Sequence, residues 1–283
     1  KEITDSLIHW ADHGVKIFRI DNPHTKPIEF WQRCIKDVQK KHDDVIFLSE
    51  AFTKPRLLES LAKIGYTQSY GYFTWRETKE ELIEYFEYLT QTDVKEYLIN
   101  NIFPTTPDIL PKHLQHAPPE MFKIRLALAT TLGSVYGMYS GYELCENTPV
   151  GPRDELMNSE KYEYVNRDFN DPISIAPFVK QLNRIRKENP ALQKYANLRF
   201  HDVNNDNIIC YSKQVEDNLL LIFVTLDPHN VQAGTCQVPM AELRLTTENY
   251  RVHDLLSNEV YEWCGDHNYI ELNPKAQVAH IFR

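Results

Sequence analysis

From Val15 to about Leu192, short runs of β-branched and aromatic residues alternate with longer segments whose apolar residues recur every three or four positions. Such alternation points to a parallel sheet, because two parallel strands need a crossover that a helix can supply. Five runs read as strands: "VKIFRID", "DVIFLSEAF", "YTQSYGYF", "YLINNIF" and "SVYGMYS". The first helix is expected from about Ile28 to Lys41, with Phe30, Trp31, Cys34, Ile35 and Val38 on one face. Pro55 opens the next, whose stripe is Leu57, Leu58, Leu61 and Ile64. Helices follow over "ETKEELIEYFEYLTQ", from about Pro119 to Leu132, and over "IAPFVKQLNRIRKENPAL". After Tyr195 the texture changes. Eight short strands, from "NLRFHD" to "AQVAHIF", are separated by Asn, Asp, Gly and Pro turns. They read as an antiparallel β-sandwich. The chain therefore divides into an α/β part over 1–194 and an all-β part over 195–283.

Acidic residues outnumber basic ones 40 to 31, a formal net charge of −9, which argues against nucleic acid or an anionic membrane as the main partner. No apolar run approaches the length of a transmembrane helix, and no signal-peptide pattern opens the chain. The five cysteines, Cys34, Cys145, Cys210, Cys236 and Cys264, are odd in number and lack metal-ligand spacing. They read as reduced thiols of a cytoplasmic protein. His113 and His116 stand three residues apart with no third ligand nearby, so no metal is expected there.

The chemistry is expected where strands end. Pro23 and Pro27 stop the first strand, leaving Arg19 and Asp21 at its carboxyl end, where α/β folds place their active groups. Glu50 ends "VIFLSE", and Asp108 lies in "FPTTPDIL" after the fourth strand. Neighbouring parallel strands lie about 4.8 Å apart, so carboxylates at their ends can face one another across a pocket. Retaining glycosidases need two carboxylates about 5 Å apart, one as nucleophile and one as general acid/base. Arg19 and Asp21 are two residues apart and share a face, so the guanidinium is expected to keep Asp21 ionised. Glu50 needs a raised pKa to donate a proton, which burial beside a second carboxylate can give. The alternative for Arg19 and Asp21 is an ion pair that only closes the end of a barrel.

Here the residues resemble a known family. "FRIDNPHTKP", "LSEAFT" and "TTPDIL" are similar to the signature strands of the α-amylase superfamily, glycoside hydrolase family 13. Within it they resemble the maltose-1-phosphate maltosyltransferases, as do "TQSYGYFTWR", "YSGYELCEN" and "SEKYEYVNRD". The resemblance implies a (β/α)8 barrel of which about strands 4 to 8 are present, followed by the β-sandwich. It implies transfer of maltosyl units from maltose 1-phosphate to an α-1,4-glucan, without a cofactor, in a cytoplasmic protein that is a homodimer at full length. Asp21 becomes the nucleophile, Glu50 the acid/base and Asp108 the transition-state stabiliser. Asn22, Lys161 and Tyr162 become contacts of the donor phosphate, a role their hydrogen-bond donors suit. Two departures from hydrolytic amylases match this subgroup. Thr25 stands four residues after the nucleophile, where amylases carry histidine, and Pro107 stands before Asp108, where they carry His-Asp.

A closed barrel needs eight strands, and only about 20 residues precede Asp21, so the chain is expected to be a fragment that is inactive alone. Its first strand should then carry an unpaired edge. Two alternatives stay open: a hydrolase using the same carboxylates, and a non-catalytic glucan-binding fragment.

Overall fold

The computed structural model describes residues 1–283 apart from Glu160, Lys161, Tyr162, Arg244 and Thr246. They form two compact units. The first holds 1–72 and 87–101, and the second holds 73–86 and 102–283.

In the first unit, helix α1 (Glu2–Asp12) precedes strand β1 (Ile17–Asp21), helix α2 (Ile28–Gln39) and strand β2 (Ile46–Glu50). Helix α3 (Pro55–Lys63) and strand β3 (Gln68–Tyr70) follow, then the end of helix α4 (Lys79–Gln91) and the start of strand β4 (Asn100–Ile102). The strands pair in parallel in chain order, β1 with β2, β2 with β3, and β3 with β4. All four were legible as apolar runs. Helix α1 was not, because its apolar side chains pack little: Ala11 is its only buried residue, and Trp10 stays 55% exposed.

Alternation splits the sheet's two faces. Phe18 stacks on Phe47 at 5.8 Å, and Phe47 meets Tyr66, which in turn packs edge-on against Trp31 of α2. Trp31, Ile35 and Val38 of α2 and Leu58 and Leu61 of α3 are buried, so the helices cover this face. Arg19 and Asp21 belong to the opposite face. Among the described residues β1 has a strand partner on one side only, and Ile17 is 56% exposed, as expected for its unpaired edge.

The second unit is built around helix α5 (Pro119–Leu132), in which every residue from Ile124 to Leu132 is buried. A helix apolar on all sides belongs at the centre of a core. Beside it lie the end of β4, strand β5 (Val135–Tyr136) and helix α6 (Ala176–Glu188). The Gly137 amide donates to the Ile102 carbonyl, and a Cβ on Gly137 would fall 1.9 Å from the Phe103 ring. Only glycine fits there.

The expected eight strands are all present: β6 (Leu198–His201), β7 (Ile208–Val215), β8 (Asn218–Thr225), β9 (Gln232–Gln237), β10 (Asn249–His253), β11 (Val260–Cys264), β12 (His267–Leu272) and β13 (Ala279–Phe282). They form an antiparallel sheet in the order β13-β8-β7-β6 and two antiparallel pairs, β10-β11 and β12-β9. Phe223, Trp263, Phe282 and Ile270 fill the core between them. Residues 195–283 share their compact unit with 102–194.

One reason is electrostatic. The carbonyls at the C-terminal end of α5 are left without intrahelical partners. Arg186 of α6 donates to Thr130, Gly133, Ser134 and Leu192, and Lys213 of β7 donates to the Leu132 carbonyl at 3.3 Å. Two basic side chains thus cap one helix end, where the dipole favours positive charge. Lys213 is fully buried, and burial, aided by Arg186, pushes its pKa down to about 7. The unfolded chain therefore binds the extra proton between about pH 7 and 10. Stability is expected to rise over that interval by more than about 1 kcal/mol. Lys213→Met should flatten the rise in urea midpoints. A rise that survives the substitution would rule Lys213 out as its source.

Candidate active site

Strand β1 ends because Asn22 adopts a left-handed conformation, φ 43° and ψ 51°, which Asn tolerates better than most side chains. A turn of 3-10 helix over Pro23–Thr25 follows, held by the Thr25 amide and hydroxyl donating to the Asn22 carbonyl at 3.0 and 2.8 Å. The buried indole of Trp31 donates to the Pro23 carbonyl at 2.9 Å and pins the turn onto α2. Asp21 is therefore the last strand residue before a fixed corner, and it is exposed.

The β1–β2 register sets Asp21 directly beside Glu50. Registered residues of parallel strands project to one face, so both carboxylates stand on the same side of the sheet about one strand spacing apart. Glu50 is 7% exposed. The loop after it is fixed by Phe52, which packs edge-on against Tyr72, whose hydroxyl donates to the Thr53 carbonyl at 2.9 Å.

Arg19 shares their face, as expected, but its ion pair is with Glu50, at 2.5 Å, and not with Asp21. The physical reason is register. Arg19 sits level with Leu48, so its long side chain reaches diagonally to the next carboxylate along β2. The pair stabilises the carboxylate form of Glu50. Glu50 is thus buried beside the second carboxylate, as expected, with the Arg19 guanidinium against it as well. The guanidinium also lies over the Tyr70 ring, 5.6 Å from its centroid.

The row continues across the sheet. Ser49 pairs with Ser69, which makes Tyr70 the β3 counterpart of Glu50, and Tyr70 is registered with Asn101. Asp21, Glu50, Tyr70 and Asn101 thus form one line along the carboxyl ends of four strands. The Asn101 amide group donates to Gln68 at 3.5 Å, while its Oδ1 is buried without a partner among the described residues. Tyr70, Gln68 and Asn101 were missed as site residues. Tyr70 and Asn101 stand level with Asp21 and Glu50, whereas Gln68 stands level with Leu48 and so with Arg19.

Asp108 belongs to the second unit. It sits in a tight turn in which Thr106 and Ile109 exchange backbone hydrogen bonds at 3.1 and 3.2 Å, and its amide donates to the Thr106 hydroxyl. It is half-buried. Lys161 and Tyr162 lie outside the described residues. Asn22 is exposed, immediately beyond Asp21.

Comparison with known proteins gives this geometry a context. Residues 200–283 match the family model described as GLGE, C-terminal. Over 99% of its length the chain is 45% identical to an α-1,4-glucan:maltose-1-phosphate maltosyltransferase of Cereibacter sphaeroides, and spans 42% of that protein. It is 48% identical, over 98% of its length, to α-1,4-glucan:maltose-1-phosphate maltosyltransferase 2 of Streptomyces coelicolor, again spanning 42%. For the Picrophilus torridus protein of the same name the figures are 44% identity, 99% and 44%. The chain thus spans less than half the length of these relatives. Among solved structures, an α-amylase from Geobacillus thermoleovorans complexed with acarbose matches with a TM-score of 0.75 at 18% identity, over 99% of this chain and 62% of that one. That likeness is one of fold. Along nearly all its length the chain resembles the maltose-1-phosphate maltosyltransferases.

Proposed function

We propose that the chain is the C-terminal part of a retaining α-1,4-glucan:maltose-1-phosphate maltosyltransferase. In this reading 1–194 are the second half of the catalytic barrel, about strands 4 to 8, and 195–283 are its β-sandwich domain. The observation that carries it is the pairing of Asp21 with Glu50, level on adjacent strands and facing one way, in a chain whose named relatives share this activity.

The chemistry is a double displacement. An Asp21 carboxylate oxygen attacks the anomeric carbon of maltose 1-phosphate. The bond from that carbon to the phosphate oxygen breaks, and phosphate leaves with the electron pair. Phosphate is itself a weak base, with a second pKa of about 6. Its departure therefore asks little of a general acid. The second half needs a base, because the acceptor's 4-hydroxyl must lose a proton as its oxygen displaces Asp21. Glu50, level with Asp21 on the next strand, takes that proton. Asp108 stabilises the positive charge that develops on the sugar, and Asn22, Lys161 and Tyr162 hold the donor phosphate. No cofactor takes part. The protein acts in the cytoplasm as a homodimer.

The test is to incubate the intact protein with maltose 1-phosphate and glycogen and to follow phosphate release. Steady turnover with glucan extension is expected. Lys161→Ala should lower use of the donor by about 10- to 100-fold, the worth of one charge-assisted contact at about 1.5–3 kcal/mol. Sugar released from starch without any need for the phosphorylated donor would instead identify a hydrolase. Glucan binding without turnover would make the chain a binding module.

A further inference from the structure

The second unit holds a cavity of about 440 Å³ between the start of α4, helix α5 and the loop before β7. A pocket of this size suits a small molecule. His113 lines it, with only 7% of its side chain exposed and neither ring nitrogen hydrogen-bonded among the described residues. Glu77 Oε1 comes within 3.2 Å of Nδ1 without making a hydrogen bond to it. Two unmet nitrogens on a buried ring are costly unless a ligand or solvent meets them. Burial and the neighbouring Arg125 push the His113 pKa down to about 2, so the ring is neutral. It offers one donor and one acceptor.

The charges around it are unequal in what they can still do. Arg125 is buried and donates from its two terminal nitrogens to the Arg76 and Phe73 carbonyls at 2.7 and 2.6 Å, while its Nε has no partner among the described residues. Lys79 donates to the Val203 and Asn205 carbonyls at 3.0 and 3.1 Å. The exposed carboxylates of Glu77, Glu80 and Asp206 remain as acceptors on the cavity's polar side. They disfavour an anion, while Arg125 beside the imidazole disfavours a cation. Met121, Leu128 and Leu226 supply the apolar side. The complement is an uncharged molecule with hydroxyls on its edge and C–H groups on its face.

We propose that this cavity binds a neutral sugar of one or two rings, whose hydroxyls meet His113 and the carboxylates of Glu77, Glu80 and Asp206. The lining belongs wholly to the second unit, and the proposal does not depend on the activity proposed for the row at Asp21. Met121 is one of only four methionines in the chain, which makes it a local reporter. The intact protein is labelled at its methionine methyls and titrated with maltose, with the Met121 signal identified by its loss in Met121→Leu. A saturable shift of that signal is expected. Sodium phosphate should leave it in place. His113→Phe should abolish the shift, and Asp206→Asn, at an exposed loop position that does not threaten folding, should weaken binding about 10-fold. Both variants should still release phosphate from maltose 1-phosphate, if the wild type does. An unmoved Met121 signal means the cavity holds only water and overturns the proposal. A shift that Asp206→Asn leaves unchanged overturns it equally.

Discussion

Asp21→Asn in the intact protein is expected to release no burst of phosphate and to lower maltosyl transfer by at least about 10,000-fold, as removal of an essential group typically does. Without the carboxylate no covalent intermediate can form. Glu50→Gln should behave differently, because phosphate is a leaving group that needs little protonation. That variant should release about one phosphate per active site and then stall, since the amide cannot take the proton from the acceptor. The two are separated by rapid-mixing phosphate release, with the intact mass of the stalled protein showing one added maltosyl unit. A burst from Asp21→Asn would move the nucleophile elsewhere. Unimpaired steady turnover by Glu50→Gln would remove Glu50 from the mechanism. The second outcome is informative because Glu50 is the carboxylate level with Asp21 on the adjacent strand.

The difference between Arg19's expected and observed partners shows what a sequence can carry. Spacing by two placed Arg19 and Asp21 on one face, and that is how they lie. Which carboxylate the guanidinium reaches depends on how β1 and β2 are slipped against each other. That register is a relation between strands, which neither strand's residues specify alone. The line from Asp21 through Glu50 and Tyr70 to Asn101 was hidden for the same reason. Strands and helices were far more legible. Helix α5 runs from Pro119 to Leu132 as expected, bounded by a proline at its first turn and Gly133 just beyond its end. His113 was read only as half of an unlikely metal pair. Its burial beside Arg125 arises from the turn over Lys112–Leu114 packing on α5, and nothing local in "KHLQH" announces it.

The other large effect expected is on stability, at a buried charge in the antiparallel part of the chain. Asp254 is fully buried. Its Oδ2 lies 2.8 Å from His280 Nδ1 and accepts from Gln277 at 2.6 Å and Ser257 at 3.0 Å. Its Oδ1 accepts from the Leu256 and Ile281 amides at 3.1 and 3.2 Å. Burial would raise the pKa of this carboxyl, but the bonds from His280 and Gln277 hold it below the usual carboxylate value. A carboxylate so surrounded ties β13 to the turn after β10. Asp254→Ala leaves all five partners without their acceptor, and is expected to cost about 3–5 kcal/mol in urea unfolding. The pH dependence follows from the lowered pKa. The carboxylate's contribution is complete above the unfolded value of about 4 and is lost as pH falls through the lower folded value. Asp254→Asn keeps the shape without the charge, so it should unfold at lower urea near neutral pH and lose less stability on acidification than the wild type. If the wild type and Asp254→Asn lose stability in parallel from pH 6 to pH 3, the acid sensitivity belongs to other carboxyls. The buried charge then contributes only through its hydrogen bonds, which the Asp254→Ala result would still measure.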